Sequence, residues 1–210
     1  MTFQRTTSAP AADRARWLRR AEALVLGTLL YNVAEAVVAL WAGERAGSIA
    51  LVGFGLDSLI EIMAGTVVLW RMLVEHSVAG EHRIDTVERR ARRLVGVTFW
   101  LLAIYVVAQS GLALWRRQAP AESLVGIVIA LLSLVLMPLL AWGKIRAARA
   151  LDSGALAAEA QETLACAYLS LCLLAGLGLN ALFGWWWADP LGALAMVPWL
   201  LREGREAWEG

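Results

Sequence analysis

Polar and apolar positions along the chain fall into long blocks. Six apolar blocks run from about Leu18 to Trp41, Gly47 to Leu73, Leu94 to Trp115, Ser123 to Trp142, Ala155 to Phe183 and Pro190 to Leu201. At about 1.5 Å per residue, such blocks can cross roughly 30 Å of hydrocarbon as helices. The sixth is short and needs Trp185 to Trp187 as its interfacial cap. A lone strand in lipid would leave its backbone groups unpaired, so every block is expected to be helical. The prediction is an all-α polytopic membrane protein, a six-transmembrane-helix bundle over 18–202, with tails at 1–17 and 203–210. The charged stretch Glu81–Arg93 (EHRIDTVERRARR) is helix-compatible and is expected to extend the third helix beyond the membrane.

Composition agrees with a lipid solvent. Of 210 residues, 60% are hydrophobic, and the mean hydropathy is +0.61, above the usual balance of soluble domains. The net charge is only +1, with 19 Lys+Arg against 18 Asp+Glu, so no basic surplus is present to bind nucleic acid. Cys166 and Cys172 lie six residues apart in one block and point in different directions on a helix, which precludes a disulfide between them. The first apolar block lacks a small-residue cleavage site and is expected to remain in the mature chain.

Charge sets the expected orientation. Of the 19 Lys+Arg, only Arg45, Arg116 and Arg117 fall on one side of the predicted spans. The positive-inside rule therefore places both termini in the cytoplasm. Most tryptophans sit at predicted span ends, as in an aromatic belt, whereas Trp100 lies within a span and is expected to pack in the bundle. The Ala-, Leu-, Arg- and Trp-rich composition, without organelle signals, suggests a bacterial inner (plasma) membrane.

Ionisable groups inside hydrocarbon are costly and point to function. The spans contain Glu35, Asp57, Glu61, Glu159 and Glu162, with Asn32, Gln109 and Asn180 as neutral polar groups. Asp57 and Glu61 are spaced i,i+4 and share one helix face, and Glu162 and Cys166 repeat that spacing in the fifth block. If the two faces meet, Asp57, Glu61, Glu162 and Cys166 form a donor set suited to a divalent transition metal. A lone buried carboxyl can instead stay protonated and serve helix assembly. A buried Cys is more often a small hydrophobe. Asp189, before Pro190, reads as the N-cap of the sixth helix.

The stretch Asn32–Glu61 (NVAEAVVALWAGERAGSIALVGFGLDSLIE) resembles the first two helices of the cation diffusion facilitators, with Glu35, the GSIAL turn, and Asp57 with Glu61. ALAAEAQETLACAYLS and GWWWADPLGALAM are similar to that family's helix 5, outer loop and helix 6. The resemblance implies efflux of a divalent metal in exchange for protons, by alternating access at a site between helices 2 and 5. Glu162 stands where the family usually has His or Asp, and Cys166 where it usually has Asp. The altered set suits zinc, cadmium, cobalt or iron(II) without choosing among them. By the same resemblance, Glu35, Glu159 and Asn32 are accessory, with Glu159 as an entry or gating carboxylate. His76 and His82 fall in a connection where some members bind a further metal. With only EGREAWEG after Arg202, the chain is expected to lack the family's usual cytosolic domain. A homodimer is therefore expected to form through membrane helices. No cofactor is expected, and the partners are lipid, metal and protons.

Two other classes compete. A membrane metal-binding or structural protein that does not transport would use the same carboxylates. An intramembrane aspartyl enzyme is suggested by Gly53, Gly55 and Asp57 (GFGLD), but no second Asp lies within another span to share its proton. The expectation is a transporter and not an enzyme.

Overall fold

The computed structural model describes residues 11–74, 81–118 and 120–209, with side chains described at 13–70 and from 93 onward. It has six helices: α1 Ala11–Ala46, α2 Ile49–Val74, α3 Glu81–Arg116, α4 Leu124–Leu151, α5 Gly154–Phe183 and α6 Ala188–Glu209. No strand occurs among the described residues. Glu81–Arg93 is continuous with the apolar part of α3, as its helix-forming composition predicts. Five helices are long and apolar enough to cross a membrane. The sixth has 22 residues, but Arg202, Glu203, Arg205, Glu206 and Glu209 break its apolar run.

Short, well-capped turns reverse the chain. Gly47, at φ +65, takes the left-handed conformation that turns α1 into α2 without a Cβ clash. Ser153 caps α5 through its hydroxyl, and Gly184 (φ 65) ends that helix in the left-handed region. Ser123 likewise caps α4.

Asp189 corrects the sequence reading. Its carboxylate does not cap its own helix. It accepts from the Ser48 hydroxyl at 2.5 Å and from the Ile49 amide at 2.8 Å, so it caps α2 from α6. The N-terminal amides of α2 attract an anion, and here a neighbouring helix supplies it.

The bundle is apolar outside and holds a set of polar side chains within a mostly apolar interior. Leu30, Val37, Ile104, Leu139 and Leu182 are exposed, whereas Asn32, Glu35, Asp57, Ser58, Ser133 and Lys144 are buried. That arrangement fits a lipid-facing surface, because lipid has no preference for polar side chains. Arginines lie over tryptophan rings near helix ends, with Arg45 4.2 Å from the Trp41 centroid and Arg146 4.3 Å from that of Trp142. Trp100 packs against Trp208, with ring centroids 5.6 Å apart, and against Gly204 of α6, where a Cβ would approach it to 2.4 Å. It is a packing residue, as expected. α2 lies at the centre of the bundle, in contact with α1, α3, α5 and α6.

Candidate metal centre

α2 and α5 are neighbours, so the carboxylates of one face the thiol of the other. The i,i+4 spacing stacks Asp57 and Glu61 on the inward face of α2. Asp57, Glu61 and Cys166 each offer a ligand atom, and these atoms lie within 4.8 Å of one another. All three side chains are buried, at 2%, 7% and 0% exposure. Ligands of a tetrahedral ion stand about 3.3–3.8 Å apart, given bonds of about 2.0–2.3 Å. Small rotamer changes would close the observed spread onto an ion.

The surrounding shell orients these groups. Asn32 of α1 donates Nδ2 to Glu61 Oε2 at 2.7 Å, while its Oδ1 is buried without a hydrogen-bond partner. Glu35, wholly buried, accepts from Ser58 at 2.9 Å, from the Cys166 thiol at 3.7 Å and from Ser133. Ser133 in turn meets the Tyr31 hydroxyl at 2.6 Å. Four helices thus converge on one carboxylate, which ties Cys166 to a fixed place. The accessory residues Glu35 and Asn32 both belong to this centre.

The other predicted residues lie elsewhere. Glu162 is half-buried, on the wall of a cavity nearer the chain termini. Its charge still acts on Asp57 and Glu61. Glu159, one turn further, forms a buried ion pair with Lys144 of α4 at 2.6 Å. Lys144 also donates to Thr163 at 2.9 Å. By sequence, Lys144 counted among the cations outside the membrane; it is in fact fully buried within the bundle. His76 lies outside the described residues. His82 falls within α3, but its side chain lies outside them too.

Sequence reasoning also passed over Glu203, assigned to a tail after Arg202. α6 continues to Glu209, and Glu203 is buried. Both omissions follow one signal. Lys144 continues the buried stripe Met137, Ala141, Ala148 and Leu151, and Glu203 continues Ala193, Met196 and Leu200, each at spacings of three or four.

Among the described residues, Asp57, Glu61 and Cys166 form a group that could hold a metal ion. Comparison with known proteins supplies the family. A protein described as an uncharacterized transporter in Synechocystis sp. is 27% identical over 187 residues, covering 83% of this chain; the chain spans 60% of that relative's length. The profile of the cation efflux transmembrane domain matches residues 25–208. With a match of that extent, the chain belongs to the cation efflux family.

Proposed function

We propose that this chain carries a divalent transition-metal ion out of the cytoplasm in exchange for protons, by alternating access at Asp57, Glu61 and Cys166 with Glu162 nearby. The observation that carries the reading is the buried meeting of two carboxylates and a thiol at the α2–α5 contact. Two carboxylates balance a divalent charge, and the thiolate favours zinc, cadmium, cobalt or iron(II) over magnesium or calcium. Three protein ligands leave a coordination position open, which suits a cargo that must leave. The unpartnered Oδ1 of Asn32 is a further oxygen beside the site.

Exchange follows from competition. Metal and protons seek the same lone pairs, so metal loading releases protons and proton return expels the metal. A shell of hydroxyl donors around Glu35, rather than cations, lets the centre alternate between these states without a fixed positive charge in contact with it. In proteoliposomes with an imposed pH gradient, zinc or cobalt flux is expected. Asp57→Ala and Glu61→Ala should each reduce it at least about tenfold, the effect of losing roughly 1.4 kcal/mol of ion stabilisation. If Asp57→Ala moved metal as fast as the parent, this site would be wrong. Saturable binding with no flux would instead favour a membrane metal-binding protein.

A further inference from the structure

Between the metal centre and the chain termini lies a cavity of ≈150 Å³ walled by α2, α3, α5 and α6. Its apolar wall includes Ala64 and Val95, and its polar wall holds Gln161 and four carboxylates: Glu159 and Glu162 of α5, Glu203 and Glu206 of α6. Acidic clusters alone mean little, but two features here set this one apart. Glu203 is only 7% exposed, and its carboxylate has no hydrogen-bond partner among the described residues. Glu159 spends Oε1 on Lys144, while its Oε2 is buried with no partner at all. Buried carboxylate oxygens without donors are expensive, and a cation removes that expense.

We propose that this cavity is a second cation site, an all-oxygen antechamber in which Glu203 and the free Oε2 of Glu159 hold a divalent metal before it reaches Asp57, Glu61 and Cys166. The volume leaves room for an ion that keeps part of its water shell, as oxygen-ligated cations commonly do. Glu206, at the mouth, is paired with Arg202 at 2.6 Å, which leaves Glu203 and Glu159 as the inner oxygens. Lys144 lies behind Glu159 and neutralises one of its oxygens, which limits the net charge and keeps the ion from being held too tightly to move on. Two divalent ions in neighbouring sites repel each other, so arrival of a second helps expel the first.

The proposal rests on the reading that the cargo is a divalent metal, and cobalt separates the two sites. A cobalt ion bound by Cys166 shows a thiolate-to-metal charge-transfer band, whereas one held by carboxylates alone shows none. The purified full chain in nanodiscs, titrated with Co²⁺, is expected to bind two ions, of which one develops the band. Glu203→Gln should abolish the spectrally silent ion and keep the band. Glu203→Asp should restore silent binding in part, which a mere folding defect would not. Cys166→Ser should lose the band and keep the silent ion. In transport, Glu203→Gln should raise the apparent KM about tenfold, the signature of lost ground-state binding. Retention of both ions in Glu203→Gln, or binding of only one ion by the parent chain, overturns the antechamber. Two silent ions in the parent chain, with Glu203→Gln removing one, would uphold the antechamber and overturn Cys166 as a ligand.

Discussion

Lys144 and Glu159 face each other at 2.6 Å inside the bundle, and Lys144 is fully buried. Removing one member of such a pair leaves an uncompensated charge, a loss of about 3–5 kcal/mol. Lys144→Met should therefore destabilise the protein strongly in detergent unfolding. Lys144→Met combined with Glu159→Gln should recover most of that loss, because no charge is then stranded. A double-mutant cycle of unfolding free energies checks this; additive losses would show that the two charges do not interact. Asp57 and Glu61 differ in kind, since no cation contacts either among the described residues. Their spacing made them legible in the sequence, as any i,i+4 pair of carboxylates in an apolar block is. Glu203 and Lys144 were passed over because each sits where its apolar block ends, where a charged residue ordinarily faces water.

At the scale of elements, small residues set the distances between helices. A Cβ on Gly192 of α6 would lie 2.8 Å from the Cys172 carbonyl oxygen of α5. Backbone cannot step aside as a side chain can, so Gly192→Ala should push α6 away from α5. Overpacking of this kind costs about 1–3 kcal/mol, read as a lower unfolding midpoint. Gly178→Ala offers the control, because nothing lies within 4 Å of its added Cβ. The helices themselves were legible from block length, and the apolar continuity of α3 with its charged extension from composition. The cap on α2 was not, because Asp189 and Ser48 meet across 141 residues of sequence. A residue before a proline at a helix start ordinarily caps its own helix, and only packing redirects it.

For the whole molecule, orientation follows from the side on which arginine and lysine collect. With Lys144 paired inside the bundle, the bias still leaves Arg45, Arg116 and Arg117 as the cations at the end away from the termini. With Cys166 and Cys172 replaced, Gln118→Cys should react with a membrane-impermeant maleimide in intact cells, and Arg205→Cys should react only after the cells are opened. The reverse pattern would turn the molecule over and make the proposed efflux an uptake.

The sequence by itself determined the helical class, the number of apolar blocks, the family resemblance and the carboxylate pair on α2. These depend on composition and on neighbours three or four residues apart, and the solvent imposes them on any chain of this pattern. Only the tertiary structure decided that α2 meets α5, that Cys166 rather than Glu162 closes on Asp57 and Glu61, and that Lys144 and Glu203 turn inward. Which helices touch, and at what rotation, depends on how all six share a limited interior. No local spacing encodes that arrangement, and the charges near the ends of α4 and α6 take their meaning from it.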